Sequence, residues 1–370
     1  MASTPIKILI AGGGTGGHFF SGVAVGESFL ARNADNTVVY VGTRNGIEAR
    51  VGPEQGLDVR FIDVAGIKGK GIGARLRGLM RLPKAGWQSF RLLLAEKPKV
   101  VMGVGGYASG PIVAVARLMG IKTGIVEQNS VAGLTNKLLG KLVHRVFVAF
   151  DAAAPEFPAK KVHITGNPLR QQVVELLALE STGTVGIGDK LKVLVVGGSQ
   201  GARAINDAFI ELSANVPAEL SDKLVVTHQT GLADQERVAA AWAASEVAGR
   251  AEAFIHQMAE AYRAADLVVC RSGALTVSEL AMSGRPAVFI PYPFAIYNHQ
   301  VTNAQALVDA GAAEMILQED LSGESLGAAL VRLETNRRAL QNMAWKAGSL
   351  ARPEAAAEVV DEMCRLLGIP

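Results

Sequence analysis

Cysteine is nearly absent: Cys270 and Cys364 are the 2 in 370 residues, too few for a disulfide framework and without metal-ligand spacing. A reducing compartment is therefore expected. No Asp-x-Asp pair occurs, and no His, Asp and Glu cluster has the spacing of a metal site. Metal-dependent chemistry is not expected, and the sequence requires no cofactor. Long apolar runs are missing too. The least polar stretch, around 100–116, is broken by Gly103, Gly105, Gly106, Ser109, Gly110 and Pro111, which excludes a membrane span. The opening Met1-Ala-Ser-Thr-Pro-Ile-Lys7 lacks the apolar core of a signal peptide, so a soluble or peripheral protein on the cytoplasmic side is expected. A net charge of +3 is too mild to imply a nucleic-acid partner.

What the chain has is glycine, 41 of them, and 49% hydrophobic residues, the composition of an α/β protein with buried parallel strands. Its length suits two domains rather than one core. The densest glycines follow the apolar run Ile6-Lys-Ile-Leu-Ile-Ala11, where Gly12-Gly13-Gly14-Thr15-Gly16-Gly17 leads into His18. Strand, glycine loop and helix together present backbone N–H groups and a helix dipole to phosphate. Gly12, Gly14 and Gly17 satisfy the dinucleotide fingerprint, but that fingerprint also wants an acid closing the second strand. The second strand, Thr37-Val-Val-Tyr-Val-Gly-Thr43, ends without one, which weakens a nicotinamide or flavin function. A phosphate cradle needs no imidazole, so His18 points to chemistry, with a capping or phosphate-donor role as the alternative.

Apolar runs predict strands at 6–10, 38–41, 100–103, 123–126, 146–149 and 162–165. The opening pattern then recurs at Leu191-Lys-Val-Leu-Val-Val196, followed by Gly197-Gly-Ser199-Gln-Gly201, with further strands at 224–227, 253–255, 267–269 and 287–291. An amphipathic helix closes the chain over 353–367. These are two Rossmann-like halves, each headed by a glycine loop.

Four more clusters stand at predicted strand ends, where open parallel sheets bind ligands. Cys270-Arg-Ser272-Gly-Ala274-Leu-Thr-Val-Ser-Glu279 reads as a strand, a Ser272 cap and a helix whose first N–H groups suit a diphosphate. Glu279, two turns in, could accept from both ribose hydroxyls, or it could simply face solvent. Asn298-His299-Gln300 suits sugar hydroxyls or caps the next helix. Gly103-Val-Gly-Gly106-Tyr107-Ala-Ser109-Gly-Pro111 is another glycine loop, and Glu127-Gln128-Asn129 groups a carboxylate with two amides.

Together these blocks resemble the MurG family, the undecaprenyldiphospho-muramoylpentapeptide β-N-acetylglucosaminyltransferases that convert lipid I to lipid II. The similarity extends to Ala132-Gly-Leu-Thr-Asn136, Gly166-Asn-Pro-Leu-Arg170 and His299-Gln-Val-Thr-Asn-Ala304, in the family's order over nearly the whole chain. The chain departs from the family at Phe19-Phe-Ser21, where a proline often stands, and at Tyr297-Asn298, where an acid often precedes the His-Gln pair. The resemblance implies a GT-B architecture, two Rossmann-like domains facing across a cleft. It divides them as 1–168 for acceptor and membrane and 169–351 for UDP-GlcNAc, with the C-terminal helix, 352–370, returning to the first.

Residue by residue, the resemblance places Ser199, Ala274, Leu275, Thr276, Val277, Ser278 and Glu279 on the diphosphate and ribose of UDP-GlcNAc. Ile255 would offer its backbone to uracil, and Thr15, Gly16, Gly17, Asn129, Arg170, His299 and Gln300 would complete the donor site. Gly13, Gly14, Gly105, Gly106, Tyr107 and Ser109 would face the acceptor, lipid I. Inverting transfer needs a base for the acceptor C4 hydroxyl, for which His18 leads and Glu127 follows.

From Lys68 to Arg91 no acidic residue occurs. Arg75 and Arg81 interleave there with Leu76, Leu79, Met80 and Trp87, as suits the anionic cytoplasmic leaflet of the inner membrane. A solvated basic helix is the alternative. Cell-wall synthesis complexes are the expected protein partners. Rival functions are a diacylglycerol glycosyltransferase, a UDP-sugar epimerase, a non-catalytic nucleotide-sugar sensor and an oxidoreductase.

Overall fold

Strands covered by helices on both sides are apolar on both faces, and Ile8, Leu9 and Ile10 follow that rule, all three at most 2% exposed. The computed structural model of the protein describes residues 5–64, 72–178, 185 and 188–369, without the side chains of 72–82 and 296. The chain divides into two units, 1–171 with 352–370, and 172–351.

The first unit holds β1 (Lys7–Ala11), α1 (Gly16–Arg32), β2 (Thr37–Gly42), α2 (Glu48–Glu54), β3 (Val59–Phe61), α3 (Ile72–Glu96) and β4 (Val100–Gly103). It continues with α4 (Ser109–Leu118), β5 (Lys122–Glu127), α5 (Leu134–Leu142), β6 (Arg145–Val148) and β7 (Val162–Ile164). The second unit, entered through α6 (Gln171–Ala178), holds β8 (Leu191–Val196), α7 (Arg203–Ala214), β9 (Leu224–Gln229), α8 (Gln235–Ala243) and β10 (Ala248–Glu252). Then come α9 (Met258–Ala264), β11 (Leu267–Cys270), α10 (Ala274–Met282), β12 (Ala287–Phe289) and α11 (His299–Asp309). It ends with β13 (Ala313–Met315), α12 (Gly323–Thr335) and α13 (Arg337–Ser349), after which α14 (Ala355–Leu367) rejoins the first unit.

The sheets run β3-β2-β1-β4-β5-β6-β7 and β10-β9-β8-β11-β12-β13. Every neighbouring pair is parallel. Strand order reverses beside β1/β4 and β8/β11, so a ligand crevice is expected at the loops leaving those strands.

Helix α14 stays with the first unit because Val359, Val360, Met363 and Cys364 bury among Ile8, Ile10 and Phe29. Each such side chain contributes roughly 1.5–3 kcal/mol. The Arg145–Glu362 pair at 2.6 Å adds less, since Arg145 is partly solvated.

One expectation needs correction, and two further features add to the sequence reading. The strand expected at 253–255 lies at 248–252 instead, because the edge strand β10 is polar and the apolar Phe254 and Ile255 fall in the loop beyond it. The strands β3 and β13 form no apolar run because a charged residue, Arg60 or Glu314, stands at the centre of each. Leu169 and Arg170 belong to the first unit, where the Arg170 guanidinium lies 4.9 Å from the Phe20 ring centroid.

Candidate active site

In the first unit the loops after β1 and β4 press backbone on backbone. A Cβ on Gly12 would stand 2.6 Å from Gly105 O, and one on Gly106, at φ +79°, would overlap Gly13 O. Those glycines therefore let two loops interlock, whatever ligand they also serve. The His18 ring lies over Gly105, where a Cβ would meet its Cδ2 at 2.6 Å. Thr15 is the extended N-cap of α1, yet its hydroxyl pairs with His18 Nδ1 at 3.0 Å instead of capping. The helix start at Thr15–Gly17 consequently takes no side-chain cap, which leaves it suited to an anion. The helix runs unbroken through Phe19-Phe-Ser21.

Gly14 N–H is already engaged, donating to Glu48 Oε2 at 2.7 Å. Tyr107 is exposed. Ser109, expected at the acceptor, is fully buried with its hydroxyl packed over Gly103, so it supports the loop from beneath.

Glu127 is 2% exposed and its two oxygens organise the next loop. Oε1 accepts from Asn129 N at 3.1 Å, and Oε2 accepts from Gly133 N at 3.0 Å and Asn136 Nδ2 at 2.9 Å. Burial pushes its carboxyl pKa up, against these hydrogen bonds. A carboxylate so enclosed shapes the Asn129 loop.

In the second unit Ser199 is exposed at the tip of the loop after β8. A Cβ on Gly201 would overlap Thr230 O, so this loop interlocks with the one after β9 as the first pair does. Gln229 ties three strand ends together: its Nε2 donates to Gly198 O at 2.9 Å and its Oε1 accepts from Ile255 N at 3.0 Å. The Ile255 N–H is thereby used.

Ser272 does not cap α10. Its buried hydroxyl donates to Gln300 O at 2.7 Å, and Asn303 Nδ2 donates to Ser272 O at 3.2 Å, so Ser272 fixes the start of α11 against that of α10. The N-cap is Gly273, which offers no side chain, and Val277 N–H is bonded to Gly273 O. The N–H groups of Ala274, Leu275 and Thr276 lie ahead of the helix ladder. Val277 is buried and Ser278 donates back to Ala274 O at 3.0 Å, so their side chains hold the helix rather than a ligand.

Glu279 is half-buried, with Oε2 accepting from Tyr262 OH at 3.2 Å. Burial first, then the Glu279 charge, raises the pKa of Tyr262 and of Cys270 beneath it. Gln300 Oε1 accepts from Tyr292 N at 2.8 Å. Just before His299, Tyr297 and Asn298 both adopt left-handed backbone at φ +57° and +54°. Such residues store about 1–3 kcal/mol each, a pattern concentrated at functional sites.

The side chains of Arg75, Leu76, Leu79, Met80 and Arg81 lie outside the described residues; Trp87 is 61% exposed. Among the described residues no His, Cys, Asp or Glu group of three or more could hold a metal, and no helix is long and apolar enough to cross a membrane. A groove of about 850 Å³ between α7 and α12 of the second unit is lined by helix-capping residues such as Glu211 and Ser322 and by none of that unit's glycine loop.

Sequence reasoning missed Glu48, Gln229 and Tyr262. The strand-end signal was present for Gln229 in His228-Gln229-Thr230-Gly231, a polar run closing a strand into glycine. For Glu48 and Tyr262 there was none.

Comparison with known proteins follows the same division. The glycosyltransferase family 28 N-terminal domain matches residues 8–148, and the family's C-terminal domain matches 192–359. The chain is 46% identical over 356 residues to the UDP-N-acetylglucosamine--N-acetylmuramyl-(pentapeptide) pyrophosphoryl-undecaprenol N-acetylglucosamine transferase of Myxococcus xanthus (strain DK1622), covering 96% of this chain and 92% of the relative. It is 46% identical over 362 residues to the transferase of the same name from Anaeromyxobacter sp. (strain Fw109-5), covering 98% and 94%. Among solved structures, Acinetobacter baumannii MurG is 33% identical with a TM-score of 0.81, covering 98% of this chain and all of that one. A UDP-N-acetylglucosamine 2-epimerase at 12% identity and TM-score 0.67 shares the fold alone. The chain belongs to glycosyltransferase family 28, among its MurG-type N-acetylglucosamine transferases.

Proposed function

We propose that the protein transfers N-acetylglucosamine from UDP-GlcNAc to the C4 hydroxyl of the muramyl sugar of lipid I, with inversion, giving lipid II and UDP. The observation that carries this is the second unit's uncapped helix start at Gly273–Thr276 with the Glu279 carboxylate two turns behind it. Near-full-length identity of 46% to transferases named for this reaction supports it.

The α10 N–H groups and the Ser199 loop stabilise the departing diphosphate, work done elsewhere by a metal ion. Glu279, steadied by Tyr262, accepts from the ribose hydroxyls, and the Ile255 carbonyl meets uracil. His18 is the base. With Nδ1 held by the Thr15 hydroxyl, Nε2 takes the C4 proton as that oxygen bonds to the sugar's C1 and the C1–O bond to UDP breaks. Glu127 positions the Asn129 loop.

The lipid-linked acceptor requires the protein to dock peripherally on the anionic cytoplasmic leaflet of the inner membrane. Trp87 on α3 supports this, as do Leu134, Leu138 and Leu142 on α5, each at least half exposed at four-residue spacing with Lys137 and Lys141 between them. The product feeds cell-wall synthesis, and with it cell shape and division, where partner proteins are expected.

A UDP-release assay tests the reaction, using UDP-GlcNAc with a lipid I analogue, and UDP-galactose and UDP-glucose as donor controls. UDP release is expected only with acceptor present, to prefer UDP-GlcNAc and to survive EDTA. UDP release without acceptor would read as hydrolysis of the donor and would overturn transfer to lipid I. Co-sedimentation with anionic vesicles at low salt tests the membrane face, and no binding there would remove it.

A further inference from the structure

The Glu48 carboxylate is 1% exposed, and an ionised group at that depth is costly unless it is hydrogen-bonded. Oε2 accepts from Gly14 N at 2.7 Å, and Oε1 accepts from Thr43 N at 2.8 Å and Thr43 Oγ1 at 3.2 Å. Three glycines make room for it, because a Cβ on Gly13, Gly42 or Gly46 would overlap Glu48. Two segments separated in sequence, the loop after β1 and the one after β2, thus lack side chains where this one side chain lies.

What the carboxylate grips is the turn that sets the rest of the loop. Gly13 and Gly14 lie at φ +136° and +86°, and Gly13 O is the atom against which Gly106 packs. Gly14 is followed by Thr15, whose hydroxyl holds His18 Nδ1. The buried charge also makes the Gly13–Gly14 side of the loop unfit for a second anion, which confines phosphate to the Thr15–Gly17 helix start.

We propose that Glu48 is a positioning residue for the transfer reaction: it clamps the Gly13–Gly14 turn and thereby places Thr15 and His18 against the acceptor hydroxyl. This rests on the transferase function proposed above. Glu48→Gln keeps the volume but sets an amide N–H against a backbone N–H. Gly46→Ala leaves the charge intact and pushes the carboxylate from outside, at a position whose φ tolerates alanine.

The experiment compares the parent with both variants, each verified as folded by thermal melt. Both are expected to lose about 10- to 100-fold in kcat, the scale of a 1 Å misplacement, with KM for UDP-GlcNAc within about twofold. NMR titration of the His18 imidazole, which needs no substrate, is expected to shift in both. Folded variants with parental kcat, or an unshifted His18 titration, would overturn the positioning role. A parent that fails to transfer GlcNAc while the titration still shifts would sink the transferase function but leave Glu48's grip on His18 standing.

Discussion

The loops after β1 and after β8 share a strand order, a run of glycines and an interlock with a neighbouring loop, yet opposite chemistry backs them. Behind the first lies the Glu48 carboxylate, bonded to Gly14 N–H. Behind the second lies the neutral amide of Gln229, bonded to Gly198 O and Ile255 N. A strand–glycine–helix motif therefore does not specify phosphate by itself. Whether a buried negative charge already holds one of the loop's N–H groups matters as much as the glycines. On that criterion the second loop suits the nucleotide diphosphate, and the first is a rigid mount for His18.

The division of labour can be broken at either end. His18→Ala should lower kcat by about 10²- to 10⁴-fold while UDP affinity, measured by calorimetry, stays at the parental value. Turnover within a few-fold of parent would strip the first loop of its chemical role. Glu279→Gln should do the reverse. Losing a charged hydrogen bond to the ribose is worth about 1.5–3 kcal/mol, so KM for UDP-GlcNAc should rise roughly 10- to 100-fold with kcat affected less. A pure kcat loss would move the ribose elsewhere.

Much of this contrast was legible in the sequence, because glycine loops after apolar runs are local signals. Both parallel sheets and the α10 start at Ala274 follow from that pattern. The roles of the side chains behind the loops were not legible, because they depend on contacts across the fold. Glu48 lies six residues past the end of β2 and reaches back to it, whereas the fingerprint looks for an acid on the strand itself. Ser272 had the composition of a cap, but its hydroxyl turns to the Gln300 carbonyl, 28 residues away. Only the folded chain could reveal that competition.

The comparison sharpens if the second loop is given the first one's backing. Gln229→Glu puts a carboxylate behind Gly198 and removes the amide donor to its carbonyl. At an effective dielectric near 20, two like unit charges about 10 Å apart repel by about 1.7 kcal/mol, so a rise in KM for UDP-GlcNAc of up to roughly 10- to 20-fold is expected. The neutral Gln229→Met should cost less. Equal KM values for the two would mean that the donor amide matters and the charge does not.

The smallest expected effect concerns stability, and it comes from the neighbour of Gln229. His228 is fully buried, with Nε2 3.0 Å from Asn206 Oδ1, and Asn206 Nδ2 donates to Asp234 Oδ2 at 2.9 Å. With the Asn206 amide nitrogen committed as donor, His228 Nε2–H must be the donor to Oδ1, and burial, which disfavours the charged form, keeps the ring neutral. Burial lowers its pKa from 6.5 to about 3, against a smaller upward pull from Asp234. The unfolded chain binds this proton below about pH 6.5 and the folded chain does not, so stability falls as the pH drops through that window. The slope approaches about 1.4 kcal/mol per pH unit well below pH 6.5, which makes the loss about 1.6 kcal/mol between pH 6.5 and 5. Trp242 reports on this region, since Phe209 packs against both it and His228, at 6.1 and 5.2 Å. Urea melts followed by Trp242 fluorescence, with Trp87 and Trp345 changed to Phe, should show that loss in the otherwise parental chain and its absence in His228→Gln. The same slope in both would mean that the second loop's backing titrates through some other group, and that its neutrality is not held by His228.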